Sequence, residues 1–427
     1  MTNEATEQKL MAGPIEGLRV LEIGDLGELA GKLLADAGAE VIRVEPREGA
    51  RSRHRGPYVG DRVDVNRSLR FAAANTSKRS VTLDLGSDEG VALWADLVVW
   101  SEVVIDGSAV GSLDKAGLGA TRFRGDRSAL IWCAVTPFGQ TGPWRDWASN
   151  DLVQLALGGP MMSTGYDDHT LPPIRSDGEH SLAIAGEYAV TAILAALWLR
   201  DERDGKLGQF VDLSTHDAVS ATTEGAFANW EYLGKRVQRQ TGRHAAAERN
   251  AAWQYRCTDG DYIMLMGGGI PRDNKIFDRL LTWMDEHDAA EDLHDSKYVE
   301  VLYTDPTRNV EIRNHVTGML GRFVQRLTAE EAYRRGQSLH LPWGLVRRPE
   351  QNLDDPHWEE RGFWWKGEVP GYPEPVRYPG APYKFAKSPV RMRRRPPLLG
   401  EHNHEVFVGV LGRVSGDLAR LAADGVI

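Results

Sequence analysis

The chain has 427 residues, 41% of them hydrophobic and 26% charged, which are the proportions of a folded globular protein and exclude a disordered or collagen-like chain. Lys plus Arg is 51 and Asp plus Glu is 61, a net charge of −10; this excludes a general nucleic-acid binder and requires any polyanionic ligand to be held by a local group of cations. Two cysteines, Cys133 and Cys257, are too few for a disulfide framework or a four-cysteine zinc site.

Residues 1–12 are polar and lack the apolar core of a signal peptide; they read as a disordered leader, and a cytoplasmic location is expected. Leu18–Ile23 is an apolar run between glycines and predicts a buried strand. Glu28–Gly38 has helical spacing of Leu29, Leu33, Leu34 and Ala37 with a terminal glycine, and Glu40–Val44 predicts a second strand. Strand, helix, strand with short links implies a right-handed βαβ unit in a parallel sheet. The alternation continues: strands are expected at Arg79–Leu85, Glu102–Ile105, Ala129–Val135 and Gly208–Leu213. Helices are expected at Ser87–Val99, Ser112–Gly117, Asp151–Leu157 and Ala183–Leu199. The apolar run Tyr188–Leu199 is too short to span a bilayer and reads as a buried helix. Beyond residue 220 the texture changes. Trp230–Asn250 reads as an Arg-rich linker, and Trp253–Met266 as a hairpin turning at Asp259-Gly260. Helices then dominate Asn274–Arg335, and residues 340–395 suggest short antiparallel strands.

Several clusters invite a chemical reading. Gly24, Gly27 and Gly31 follow the first strand and Glu45 ends the second, as in a dinucleotide site, but the spacing is G-x-x-G-x-x-x-G rather than G-x-G-x-x-G. Tight turning and close helix packing explain the glycines better. A nicotinamide-dependent oxidoreductase therefore stands as a minority alternative. Arg43, Arg47, Arg51, Arg53 and Arg55 crowd the end of the second strand, and Lys78 and Arg79 precede the third. Guanidinium forks suit phosphate, and a solvated loop would look the same. Gly267–Gly269 is either a turn or a loop able to close over a reactive group. His402 and His404 in GEHNHE have no third ligand cluster near in sequence, so no metal site is expected. Asp177, Glu179 and His180 lie just before the long apolar helix, where a carboxylate also serves as a helix cap.

Taken together, GPIEGLRVLEI (13–23), LLADAGAEVIRVEP (33–46), NTSKRSVTLDL (75–85), FGQTGPWRD (138–146), AILAALWLR (192–200), GQFVDLS (208–214), LPWGLVRRPEQNLDDPHWEERGF (341–363), GAPYKFAKSP and RPPLLGEHNHEV resemble the class III CoA-transferase family, the CaiB/BaiF or formyl-CoA transferase type, in the family's order. The resemblance implies an α/β fold in which a Rossmann-like large domain with a parallel sheet, residues 13–222 and 335–427, is joined to a smaller α+β domain with its linker, residues 223–334. It implies an interlocked dimer and no bound cofactor, with coenzyme A as a substrate exchanged between an acyl-CoA and a small carboxylic acid. CoA-contacting regions of the family match Arg47, Leu83, Arg43, Lys78, Arg79 and Lys115, and Gly267, Gly268 and Gly269 match the glycine loop that shields intermediates. In the family mechanism an Asp carboxylate attacks the thioester to give a mixed anhydride. CoA thiolate then returns to form an enzyme–CoA thioester, which the acceptor acid attacks.

The sequence departs from the family at that Asp. The nucleophile belongs eleven residues before Ile193 and four before Gly186, and the residue there is Leu182. The racemases of the family place a His where this chain has Asn150. Three readings follow from the resemblance. The chain is one half of a heteromeric transferase whose partner brings the Asp; or Asp177 or Glu179 takes over the nucleophile's role; or the chain binds acyl-CoA without transfer chemistry.

Overall fold

The computed structural model describes residues 13–271, 273–304 and 309–427; the expected leader, residues 1–12, lies outside them. The chain forms two compact units. One runs to Gly158 and adds Ser176–Thr222 and Pro356–Ile427; the other comprises Gly159–Arg175 and Thr223–Asp355.

In the larger unit, strands β1 (Arg19–Gly24), β2 (Glu40–Glu45), β3 (Arg79–Thr82), β4 (Val103–Gly107), β5 (Ile131–Thr136) and β6 (Phe210–Ser214) form one parallel sheet in the order β3-β2-β1-β4-β5-β6. This is the doubly wound order, in which the strand sequence reverses between β1 and β4 and binding crevices open at the carboxyl ends of the strands. Helices α1 (Glu28–Asp36), α2 (Leu69–Ala74), α3 (Asp88–Trp100), α4 (Ser112–Lys115), α5 (Asp151–Leu157) and α6 (His180–Glu202) lie in the connections. Successive strand residues feed opposite faces, as the pleat requires. Val20, Val41, Val103 and Ile131 pack with α1 and the Ala185, Ala189, Ile193 and Ala196 face of α6. Leu21, Ile42, Val104 and Trp132 meet Leu93, Trp94 and Leu97 of α3, and the C-terminal residues Phe407, Leu421 and Ile427 complete that layer.

The C-terminal segment also finishes the open edge of the sheet. Ser80 donates its backbone N–H to His402 Nδ1 at 3.2 Å, and Thr82 donates its own to Asn403 Oδ1 at 2.9 Å. Side chains thus occupy donors that would otherwise offer an edge for another strand. GEHNHE accordingly packs against β3, and among the described residues no group of His, Cys, Asp and Glu is suited to a metal.

Helix α6 is longer than its apolar core suggested and is apolar and long enough to cross a membrane by length and composition, but one face lies on the sheet. Its other face leaves Tyr188, Leu194 and Trp198 exposed. Gly186 permits the close approach of α1 and α6, because a Cβ there would lie 2.8 Å from Leu29 Cβ.

The smaller unit has its own core. β9 (Gln254–Arg256) and β10 (Tyr262–Leu265) form the expected hairpin, and β11 (Trp343–Val346) pairs with β10 to make three antiparallel strands. Phe277, Trp283, Leu320, Phe323 and Trp343 are buried against them. Because β11 completes this sheet, the chain returns to the larger unit at Pro356 rather than at residue 335. The stretch read as a linker, Trp230–Asn250, begins in the last turn of a helix, Glu224–Leu233, and continues as a two-stranded ribbon of β7 (Gln238–Gln240) and β8 (Arg243–Ala246). Arg239 of β7 donates to the carbonyls of His169 and Leu171 at 3.2 and 2.7 Å, and Arg243 pairs with Asp167 at 2.9 Å. Those bonds draw residues 159–175 into this unit, a grouping that no local pattern in the sequence announces.

Gly31 has the tightest steric requirement of the larger unit: a Cβ there would lie 1.6 Å from Glu22 Oε2. Gly31→Ala is expected to lower stability by about 1–3 kcal/mol through displacement of that buried carboxylate. Urea denaturation of the two proteins measures it, and an unchanged midpoint would show that the carboxylate has room to move.

Candidate active site at the carboxyl edge of the sheet

A buried charge cluster underlies the carboxyl ends of β1 and β2. Glu22 and Arg43 are register partners on these strands, fully buried, and in direct contact. Arg43 also reaches Asp25 at 3.0 Å and Glu28 at 2.6 Å. Lys78, equally buried, donates to Glu22, to Asn75 Oδ1 at 2.9 Å and to the Glu28 carbonyl at 2.7 Å. Beside this group, Arg53 grips both oxygens of Glu45 at 2.6 and 2.9 Å and lies 3.6 Å over the Phe71 ring.

These contacts revise several sequence expectations. Arg43 and Lys78 are enclosed and committed to internal carboxylates, so neither presents a donor to a phosphate. Glu45 is held by Arg53 and by Ser80 at 2.7 Å, which leaves no oxygen for a ribose and removes the main support for the nicotinamide alternative. Arg79 sits at the start of β3, paired with Glu40 and Glu405 at 3.3 and 2.8 Å, away from the carboxyl edge. Leu83 is at that edge, but its side chain is buried and its N–H is bonded to the Glu45 carbonyl at 2.9 Å. Arg47 and Lys115 are exposed after β2 and β4, and Arg51 and Arg55 are exposed as well. The five-arginine cluster of the sequence thus divides into two structural members, Arg43 and Arg53, and three exposed ones.

Burial and an excess of carboxylates act together on Glu28. Three carboxylates, Glu22, Asp25 and Glu28, surround two cations, Arg43 and Lys78. Burial pushes the Glu28 carboxyl up to about 7, against the pull of Arg43 and with the help of Asp25. Elsewhere in the sheet, burial raises the Cys133 thiol to about 12, so it is no nucleophile at neutral pH.

The start of α6 is the second part of the site. Asp151, at the start of α5, accepts both the N–H and the hydroxyl of Ser181 at 2.9 and 2.8 Å. Leu182 follows in the first turn, half-buried. Glu179, one residue before the helix, receives Arg55 Nη1 at 2.7 Å and Arg70 Nη1 at 2.8 Å. Asp177 is exposed in the preceding loop. Two guanidiniums on Oε1 draw charge from the carboxylate and lower its nucleophilicity, which weakens Glu179 as a substitute nucleophile. The sequence placed Glu179 here but gave no sign of its partners, which come from 124 and 109 positions away.

In the smaller unit, Gly267, Gly268 and Gly269 directly follow β10 and all adopt positive φ, at 66°, 80° and 84°. A Cβ at Gly268 would lie 2.5 Å from Thr317 Oγ1, so this backbone is built for glycine.

The family model for CoA-transferase family III matches residues 15–403. The chain belongs to CoA-transferase family III. It is 29% identical over 393 residues to the succinyl-CoA:(R)-benzylsuccinate CoA-transferase subunit BbsE of Thauera aromatica, covering 91% of this chain and 92% of that one. It is 30% identical over 429 residues to the succinyl-CoA–D-citramalate CoA-transferase of Chloroflexus aurantiacus, covering 97% and 98%. The crystal structure of a CaiB/BaiF family protein from Brucella suis superposes with a TM-score of 0.77 at 27% identity, over 93% of this chain and 100% of that one.

The buried cluster is a foundation beneath the exposed carboxyl edge of the sheet. Its titration gives a direct test. Between the ordinary 4.5 of a glutamate and about 7, folded Glu28 holds a proton that the unfolded chain has released, so this group's contribution to stability falls as pH rises through that window. Wild type should therefore lose stability relative to Glu28→Gln between pH about 5 and about 7. Paired thermal denaturation across the window measures this, and a pH-independent difference would acquit Glu28 as the titrating group.

Proposed function

We propose that this chain is the CoA-binding, nucleophile-free subunit of a heteromeric transferase that moves CoA between an acyl-CoA and a carboxylic acid in the cytoplasm. The observation that carries this reading is Leu182. An aliphatic side chain occupies the first turn of α6, and the neighbouring carboxylates are each engaged through one oxygen, Asp151 Oδ1 by Ser181 and Glu179 Oε1 by Arg55 and Arg70. A second family III chain supplies the Asp. That carboxylate attacks the thioester carbonyl and expels CoA thiolate, leaving a mixed anhydride. The thiolate attacks the aspartyl carbonyl and expels the first acid, and the acceptor carboxylate then displaces the thiolate from the enzyme thioester. Transfer of the thiolate to the acceptor's carbonyl regenerates the Asp.

Within this scheme Arg47, with Lys115, holds CoA phosphates at the carboxyl edge, and Gly267–Gly269 shields intermediates from water. The name of the Thauera relative, a transferase subunit, supports an enzyme of unlike chains. The exposed Tyr188, Leu194 and Trp198 of α6 supply apolar surface for dimeric assembly.

Calorimetry of the isolated chain is expected to show CoA binding, weakened about tenfold in Arg47→Ala, the loss of one charge-assisted contact. Hydroxylamine should trap no acyl-enzyme in wild type and should trap one in Leu182→Asp. Efficient transfer by wild type alone, abolished by Glu179→Gln, would assign the nucleophile to Glu179 and overturn the heteromeric reading.

A further inference from the structure

Arg55 and Arg70 reach the same atom, Glu179 Oε1, from two segments of the larger unit. Their backbones are tied together at the base. Ser68 caps α2 by accepting the Phe71 N–H at 3.2 Å, and its hydroxyl lies 2.6 Å from the Arg55 carbonyl. Leu69 donates to the Pro57 carbonyl at 2.9 Å. Ser68 is buried, so this junction is a fixed platform rather than a surface loop. The guanidiniums above it are open: the side chains of Arg55 and Arg70 are 53% and 43% exposed, and that of Glu179 is 28% exposed. Each arginine spends a single nitrogen on Glu179, leaving the rest of both planar forks to solvent. Two cations against one carboxylate also leave the trio with a positive excess. The trio stands three residues before Leu182, the position of the reacting carboxylate in this family.

We propose that Arg55 and Arg70 anchor the non-reacting carboxylate of a dicarboxylic acid, or of its CoA monothioester, and that Glu179 is an internal carboxylate which this ligand displaces. The proposal deepens the transferase reading and rests on it for the placement of the reacting end. A dicarboxylate undergoing transfer keeps one charged group that needs a partner, and a bidentate arginine fork is the side chain best shaped to supply it. A monocarboxylic acid has its one carboxylate at the reacting end, and its thioester has none, so neither offers the pair anything in exchange for Glu179. Discrimination between the two classes would then follow from the exchange of one carboxylate for another, with no change in the CoA contacts.

The test uses the full chain and calorimetry with CoA, succinyl-CoA, butyryl-CoA and succinate. Wild type should prefer succinyl-CoA to butyryl-CoA at least about threefold, the scale of a partly exposed charge pair. Arg70→Gln and Arg55→Gln should each abolish the preference with CoA affinity unchanged, and Glu179→Gln should enlarge it by removing the internal competitor. Equal binding of both thioesters by wild type and by Glu179→Gln, with CoA itself bound, would overturn the proposal and leave the transferase reading standing. Absence of CoA binding would sink the transferase reading instead; the arginine anchor is then decided by succinate alone, and equal binding of succinate by wild type and Arg70→Gln overturns it too.

Discussion

Glu22 and Arg43 face each other across two adjacent strands with no solvent to spread their charge, and the larger unit is organised around satisfying that pair. A charge buried without a partner is costly enough that removing one member of such a pair typically destabilises by about 3–5 kcal/mol. The structure answers with converging groups. Lys78 arrives from the segment before β3, Asp25 and Glu28 from the turn and first residue of α1, and Asn75 takes part of the Lys78 ammonium. Gly31 is the complement of this arrangement, since the space its missing side chain leaves is where the Glu22 carboxylate sits.

The cluster reaches function through what it holds in place. Arg53 and Ser52 turn inward to Glu45 and Glu28, so the loop after β2 is fixed at two buried points between exposed Arg47, Arg51 and Arg55. Exposed cations on a rigid base lose less freedom on meeting an anion than cations on a free loop. This resolves the apparent conflict between a net charge of −10 and a polyanionic ligand. The inner arginines neutralise internal carboxylates and Arg55 is taken by Glu179, so Arg47 and Arg51 make a local positive surface that the global balance does not reveal.

The parallel sheet was legible in the sequence because its strands are apolar on both faces and its helices carry regular spacing and caps. Arg43 was misread as a ligand contact, although a signal existed: it lies inside a strand between Ile42 and Val44, where both faces of a parallel sheet are covered and a cation must be buried. Lys78 offered no such signal, because it precedes its strand and only the tertiary fold turns it inward. The joining of residues 159–175 to the smaller unit depends on Arg239 and Arg243, about seventy positions away, and was equally hidden. At the site, sequence reasoning found Leu182 and Glu179 by alignment but could not foresee that Arg55 and Arg70 would meet on one oxygen.

The start of α6 shows why the missing Asp is not replaced by a simple shift. A helix start favours negative charge through its free N–H groups and its dipole, so a carboxylate there is stabilised and a leucine gains nothing from the field. In this chain Asp151 already meets the first turn through Ser181, and Glu179 stands before it under two guanidiniums. The electrostatic role of an acid at the helix start is thus filled twice, by groups already engaged with Ser181 and with two guanidiniums. Leu182 can therefore be aliphatic without leaving the helix start uncapped, and the structural need for a carboxylate is separated from the chemical one. A family III fold can in this way keep its helix start satisfied with no carboxylate at residue 182.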